Sequence, residues 1–567
     1  MPNLTRPEVA GTRHVVAAGH YLASTAAHDV LVAGGNAVDA GVAAGITLGV
    51  VQPDLVNVAG VAPIMIRMAG MAVPITIDGL GVWPSSIPPN HFMEHNGTIP
   101  DGVERIVVPG APAAWLEALS RFGTMSFRDV AAAAARHARD GFAVHPLLAD
   151  TIGEYEAGYR SWPSSAQVYL PHGRVPRIGE RFVQTDLATT LERLFEAERR
   201  AGGDRLAGLQ AVREAFYEGD LAKEIVEFVQ REGGFLSLED MAGYRCRVED
   251  ALGLETLGGK LFVCGAWCQG PVLTMALAQL AEAGLDGLAH NSPDYIHLLI
   301  EVLNNVFADR EYHFGDPAFV DVPLDRLHSQ AYARARLNDI DPRRARGQMP
   351  GRLINDGGHP GGGAPAGDTD PRPEPDTSYV AVVDADGNAV SATPSDGSWN
   401  VPVVPGTGLV PSSRGSQSRP DPRHPSGVAP GKRPRLTPNP AIFTRGVDFM
   451  PFGTPGGDVQ SQAMLQFLLN RVHFGMGLQE AIEAPRFATY NFPGSFAPFT
   501  HHHGLVKLDT GIAKTTAEEL VARGHEVSYW KAGDWRAGGL CAVETNRAEG
   551  LILGGADPRR PSYAIGT

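Results

Sequence analysis

Two helical patterns open the chain. Ala23–Ala33 carries apolar residues at helical spacing and stops at Gly34-Gly35. Asn36-Ala37-Val38-Asp39-Ala40 then starts a small-residue helix that runs to Val51 and ends at Gln52-Pro53. Strands are predicted at Pro63–Met68 and Val73–Ile77, and helices at Met125–Gly141, Asp186–Ala201, Val212–Arg231, Pro271–Glu282 and Asp294–Asp309. The last of these sets Tyr295, Leu299, Val302, Leu303 and Val306 on one face. From Pro350 to Asp376 the periodicity stops, and about half the residues are Gly or Pro. Such a stretch cannot bury enough apolar area to offset its ordering entropy. A strand pattern resumes at Tyr379–Val383, turns at Asp386-Gly387 and returns through Ala389–Ala392, which predicts a β-hairpin. Pro451–Gly457 reads as a loop entering an amphipathic helix, Val459–Val472. A helix at Thr515–Arg523, a strand at Glu526–Trp530 and a hairpin of Gly538–Glu544 with Gly550–Gly554 complete the pattern. Paired strands and long helices on both sides of the Gly/Pro stretch predict an α+β layered fold.

The junction Asp376-Thr377-Ser378-Tyr379 has two readings. A hydroxyl on the first residue of a strand, behind a cuttable linker, suits an N-terminal nucleophile. Cutting before Thr377 would free an α-amine with a pKa of roughly 7.7–8, a usable base near neutral pH. The other reading is a flexible linker between two domains, with Thr377 the first residue of the next strand, and the local pattern alone favours it.

Composition narrows the class. With 567 residues, 43% hydrophobic and 20% charged, the chain has the make-up of a soluble globular protein with a large core. A formal charge of −15 argues against nucleic acid or an anionic membrane as partner. Cys246, Cys264, Cys268 and Cys541 are too scattered for a disulfide framework, and Cys264-Gly-Ala-Trp-Cys268 is not a redox motif. The N-terminus has no apolar signal region and no stretch reads as a membrane span, so a cytoplasmic protein is expected. His501-His502-His503 lacks Cys, Asp or Glu partners at fixed spacing and reads as a surface or interface cluster, not a metal site. Neither a phosphate-binding loop nor a dinucleotide fingerprint occurs, and no cofactor is expected.

An ordered set of phrases spans nearly the whole chain: Gly34-Gly35-Asn36-Ala37-Val38-Asp39-Ala40, Gln52-Pro53, Val108-Pro109-Gly110, Gln269-Gly270-Pro271, His297 with Glu301, and Ala308-Asp309-Arg310. It continues through Gly315-Asp316-Pro317, Val382 to Ser391, Gly431-Lys432-Arg433-Pro434 and Thr454-Pro455-Gly456-Gly457. Together these phrases resemble the γ-glutamyltranspeptidase family. The resemblance implies an N-terminal-nucleophile hydrolase with a four-layer αββα sandwich, made as a precursor that cuts itself. It places the cleavage site at Asp376-Thr377 and the nucleophile on Thr377. It places the oxyanion-binding amides on Gly456 and Gly457, and the hydroxyl that orients the nucleophile on Ser395. Residues 1–376 become the large-subunit segment, with 350–376 the linker before the cut, and 377–567 the small-subunit segment. Both are expected to form one intertwined domain.

Substrate contacts depart from the family. The arginine that holds a donor α-carboxylate falls at Pro89 or a neighbour, and no arginine lies between Arg67 and Arg105. The aspartate that holds the α-amine falls near Gln417, and no acid lies between Asp396 and Asp421. Gly397 stands where an asparagine usually contributes, and the family's serine pair becomes Leu436-Thr437. A buried ammonium or carboxylate without a counter-charge is costly, so a standard γ-glutamyl donor is not expected. Arg414, Gln417 and Thr437 are the expected substrate-binding residues, with Arg414 able to grip a carboxylate through paired N–H groups or to serve as a loop salt bridge. Arg433, Arg435 and Trp399 are further options near the substrate. The expected partners are a small-molecule amide, with a carboxylate-bearing one as an option, and the two fragments of one precursor, with a homodimer as a further option. The competing readings are a γ-glutamyl hydrolase or transferase with rewired contacts and an uncleaved, non-catalytic binding protein.

Overall fold

Two seven-stranded antiparallel sheets stack face to face in the computed structural model, which describes residues 4–95, 97–347, 349–353, 366–367, 371 and 377–567. One sheet runs Tyr563–Gly566, Val15–Ala18, Val380–Val383, Ala389–Ala392, Ile64–Arg67, Ile75–Ile77, Val248–Asp250. The other runs Val9–Gly11, Leu551–Ala556, Cys541–Asn546, Asp448–Gly453, Ala441–Arg445, Gly259–Val263, Leu252–Thr256. Each sheet mixes strands from before and after residue 377, so neither part of the chain has a sheet of its own. Val380–Val383 lies between Val15–Ala18 and Ala389–Ala392, pairing Val382 with both Val16 and Val390.

Alternation along these strands fixes the layers. Val15, Ala17, Ala381, Val383 and Ala389 meet Ile442, Phe449, Cys541 and Val543 between the sheets. Val16, Ala18, Val380 and Val382 point the other way, into helices that include Ala37–Val51 and Phe127–Asp140. On the far side, Leu261, Phe443 and Phe452 pack beneath Gly270–Ala283, Pro293–His313 and Val459–Leu468. The architecture is therefore helix, sheet, sheet, helix, the αββα sandwich expected from the resemblance.

Every residue of the Ala37–Val51 helix is buried. That explains its small residues: a Cβ on Gly41 would lie 2.8 Å from Val390 Cγ1, and one on Gly45 would lie 2.4 Å from the Trp115 ring. Asn36 caps the helix by accepting from Val38 and Asp39 N–H.

Three expectations are corrected. Val212–Arg231 is two helices, Arg205–Tyr217 and Asp220–Arg231, because the chain leaves helical geometry at Glu218-Gly219. Pro451–Gly457 is not all loop, since the strand Asp448–Gly453 runs through its first half. Gly453 is there for packing, because a Cβ would lie 2.4 Å from the Tyr379 ring of the facing sheet. The helix from Val459 ends at Leu468 and passes into a wider π turn, Leu469–His473. No described helix is long and apolar enough to cross a membrane.

Candidate active site

Thr377 sits fully buried at the head of the central strand, bridged in antiparallel sense to Ser395, which is bridged in turn to Val61. Backbone bridges thus bring the segments of Val61, Thr377 and Ser395 together. Thr377 Oγ1 and Ser395 Oγ are 2.7 Å apart, and Gln460 Nε2 donates to Thr377 Oγ1 at 3.4 Å. The Gln460 amide is itself oriented, since its Oε1 accepts from Asn439 N–H at 3.3 Å. The neighbouring Ser378 donates to Gln52 Oε1 at 2.7 Å, and Gln52 Nε2 donates to the Gly19 carbonyl at 3.2 Å. Gln52 of the Gln52-Pro53 phrase thereby fixes the side chain of Ser378, the residue next to Thr377. Asp376 lies outside the described residues, as does most of the Gly/Pro stretch.

Gly19 cannot carry a side chain here, because a Cβ would lie 2.0 Å from Ser378 Oγ. Gly19→Ala is expected to displace Ser378, lower stability by about 1–3 kcal/mol through overpacking, and slow any chemistry at Thr377. A melting curve and a cleavage time course measure both effects, and an unchanged pair of values would refute the tight packing.

Gly456 and Gly457 have φ of 125° and 55°, backbone that L side chains rarely adopt. Their carbonyls accept from Val459 N–H at 2.9 Å and Gln460 N–H at 3.3 Å, in the first turn of the following helix. The Gly457 carbonyl also accepts from Gln269 Nε2 at 3.0 Å. Asp458 anchors the loop from the other side. It pairs with fully buried Arg310 and accepts from Ser495 N–H at 2.8 Å and Ser495 O–H at 2.7 Å. Arg310 further donates to Gln269 Oε1 at 3.2 Å, Ser495 Oγ at 2.9 Å and the Pro493 carbonyl at 3.2 Å. The Gln269-Gly270-Pro271 and Ala308-Asp309-Arg310 phrases are thus the frame of the glycine pair.

Arg414, Gln417 and Thr437 form a buried row beside Ser395. Arg414 Nη2 donates to Ser395 Oγ, Arg414 Nη1 donates to Gln417 Oε1 at 3.3 Å, and Gln417 Nε2 donates to Thr437 Oγ1 at 3.0 Å. Asp396 completes the row, its Oδ1 3.5 Å from Arg414 Nε. Ser412 and Ser413 donate to its two oxygens at 2.6 and 2.5 Å. Burial pushes the Asp396 carboxyl up, and the Arg414 charge with the serine hydrogen bonds offsets only part of that shift. Its φ of 127° is rare for a non-glycine residue, and the backbone is held there by Asp396 N–H to the Leu55 carbonyl at 3.1 Å and Asn57 Nδ2 to the Asp396 carbonyl at 2.6 Å.

Other expected residues lie elsewhere. Pro89 is exposed. Arg433 and Arg435 are occupied by Asp78 at 2.6 Å and by Glu311 of the helix Pro293–His313 at 3.0 Å. Trp399 stacks on Tyr155 with ring centroids 4.1 Å apart. His501 Nε2 is 3.1 Å from Asn491 Oδ1, and no metal-holding group of His, Cys, Asp or Glu occurs among the described residues. The sequence reading missed Asp396, Gln460 and Gln52 as parts of the site. Asp396 follows Ser395 in Pro394-Ser395-Asp396-Gly397 with no local sign of its partners, and nothing local marks Gln460, in a helix's first turn, as facing Thr377.

A buried hydroxyl opening a central strand of an αββα sandwich, with a positive-φ glycine pair at the head of a facing helix, defines the N-terminal-nucleophile hydrolase class. The chain belongs to the γ-glutamyltranspeptidase family, whose profile matches residues 23–567. It is 32% identical over 566 residues to the acylase ACY 1 proenzyme of Pseudomonas sp. (strain SE83), covering 96% of this chain and 92% of that protein. It is 31% identical over 566 residues to the glutathione hydrolase-like YwrD proenzyme of Bacillus subtilis (strain 168), covering 98% and 99%. Among solved structures, the cephalosporin acylase from Bacillus halodurans superposes with a TM-score of 0.84 at 28% identity, covering 100% of this chain and 98% of that one.

Proposed function

We propose that this protein is a self-processing amide hydrolase that works through an acyl-enzyme on Thr377. The observation that carries the reading is the buried Thr377 hydroxyl, 2.7 Å from Ser395 Oγ and within reach of the Gln460 amide at 3.4 Å, at the head of the central strand. In the precursor, Thr377 Oγ1 attacks the Asp376 carbonyl and the peptide bond becomes an ester. The C–N bond breaks as that ester forms, and the hydroxyl proton passes to the freed Thr377 α-amine; water then hydrolyses the ester, leaving the Asp376 carboxylate and returning the Thr377 hydroxyl. In the mature enzyme the α-amine takes the hydroxyl proton while Oγ1 attacks the substrate carbonyl. The Gly456 and Gly457 N–H groups serve the developing oxyanion, a contribution worth roughly 10²–10³ in rate per donor. The proton passes to the departing amine, and water or an acceptor amine removes the acyl group.

The acyl group is not a standard γ-glutamyl residue on this reading. A γ-glutamyl donor brings an α-carboxylate and an α-ammonium, and each needs a counter-charge in a buried site. Asp396 is already matched by Arg414, Ser412 and Ser413. Similarity to an acylase proenzyme and to the cephalosporin acylase structure supports an amide with a different acyl part. Similarity to the glutathione hydrolase-like proenzyme supports the second reading, a γ-glutamyl hydrolase with rewired contacts.

Purified protein is expected to run on a denaturing gel as bands of roughly 40 and 20 kDa, by residue fraction. Cleaved protein offered a γ-glutamyl anilide beside a panel of acyl anilides and oxamate-type amides should turn over members of the panel well above the γ-glutamyl compound. Preference for the γ-glutamyl anilide would establish the second reading instead.

A further inference from the structure

Arg414 is completely buried, and its guanidinium lies against the hydroxyl that touches Thr377. Nη2 donates to Ser395 Oγ, Nη1 to Gln417 Oε1 at 3.3 Å, and Nε lies 3.5 Å from Asp396 Oδ1. The Phe496 ring stands 5.4 Å from the guanidinium carbon. These contacts make Arg414 part of the protein's internal bonding around Ser395.

A guanidinium has donors only and stays protonated throughout the pH range of a folded protein. Ser395 Oγ therefore accepts from a cation. A hydroxyl polarised in that way becomes a better donor and a poorer acceptor toward its other partner. Here that partner is Thr377 Oγ1, 2.7 Å away. Gln460 Nε2 presents a second N–H to the same oxygen at 3.4 Å, and its amide is oriented by Asn439. With donors on two sides, Thr377 Oγ1 is held as an acceptor, and its own proton is directed away from Ser395.

We infer that Arg414 is a positioning residue that acts through Ser395 to stabilise negative charge on Thr377 Oγ1 during attack, rather than a grip on the substrate. The inference rests on Thr377 being the nucleophile. As the Thr377 O–H bond breaks, the proton goes to the base, the α-amine in the mature enzyme, and the oxygen's electron pair forms the new bond to the carbonyl carbon. Ser395 and Arg414 keep their protons throughout. Asp396 balances the guanidinium, so the charge that polarises Ser395 is held in place without a net charge being added to the buried site.

Self-cleavage tests this without a known substrate. Freshly translated precursor is followed by gel for wild type, Ser395→Ala, Arg414→Gln, Arg414→Lys and the Ser395→Ala/Arg414→Gln double variant. Loss of one charge-assisted hydrogen bond should slow Arg414→Gln roughly ten- to a hundredfold. Arg414→Lys, which keeps the cation, should recover part of the rate. The double variant should be no slower than Ser395→Ala by more than about twofold, because a residue acting through Ser395 has nothing to act on once that hydroxyl is gone. Losses that multiply in the double variant, or a wild-type rate for Arg414→Gln, would overturn the inference. If Arg414→Gln fails to fold, Asp396→Asn/Arg414→Gln removes both charges together. Slow cleavage by that folded variant supports the inference, and a wild-type rate overturns it. A Thr377→Ala arm separates the two levels: cleavage there defeats the nucleophile reading itself, whereas an inert Thr377→Ala beside a fast Arg414→Gln defeats only the role of Arg414.

Discussion

Thr377→Ala is expected to remain a single full-length chain and to lose amide hydrolysis by at least about 10⁴-fold, the scale seen when a catalytic nucleophile is removed. The structure gives reason to expect that the variant still folds. Thr377 contributes one hydroxyl and one methyl at the head of a strand whose pairing runs through the backbone of Val380–Val383. Truncation leaves a small cavity and one lost hydrogen bond, about 1–2 kcal/mol together, against cores that extend through three interlayer spaces. Thr377→Ser should restore cleavage because the hydroxyl is restored. The measurement is a gel time course beside a melting curve. A Thr377→Ala protein that cuts at the wild-type rate would remove the nucleophile from the proposed function, and one that fails to fold would show that the hydroxyl is structural.

Arg310→Ala is expected to have the second largest effect, on stability and rate together. Arg310 is fully buried and ties Asp458, Gln269, Ser495 and the Pro493 carbonyl into one frame beneath Gly456 and Gly457. Removing it leaves the Asp458 carboxylate buried without its cation, a loss of about 3–5 kcal/mol. Glycines at φ of 125° and 55° hold their conformation only where the surroundings determine it. Released from the frame, the pair should lose its aim, and self-cleavage should slow by roughly 10²-fold or more, as for a lost oxyanion donor. Arg310→Lys should not rescue, because one ammonium cannot reach partners set out for a planar fork. The check is thermal melting combined with the cleavage time course. Normal melting with normal cleavage would show that the glycine pair holds its shape unaided.

Much of the site was legible as positions but not as partners. Thr377 announced itself because a Gly/Pro stretch met a strand pattern there, and the ordered phrases gave that junction a chemistry. Arg414 was readable as a charge new to its loop. Its partners were not. Asp396 lies well upstream in the chain, and only the folded loop brings its carboxylate to Arg414 Nε and to the Ser413 hydroxyl. The Gly453 error has a similar cause. Glycine before Thr-Pro-Gly-Gly reads as part of a turn, yet it is required by the Tyr379 ring of the opposite sheet. No local pattern contains that ring. The single helix read over Val212–Arg231 failed for a different reason: apolar periodicity continues on both sides of Gly219, and only the non-helical backbone at Glu218-Gly219 shows that two helices share it.

By itself the sequence determined the hairpin after Thr377 and the small-residue helix Ala37–Val51, since each depends on residues close together in the chain, and the succession of such elements gave the layered α+β class. Only the tertiary structure decided that Gln460 joins Ser395 at Thr377, that Gln52 holds the neighbouring Ser378, and that Arg414 and Asp396 stand behind Ser395. Ser395, Gln460 and Gln52 come from three separate segments, and Arg414 reaches Ser395 across a loop braced by Asp396. Hydrogen bonds of this kind act over about 3 Å and are set by the packing of two sheets and their helices, so their pattern is a property of the fold and not of any stretch of sequence.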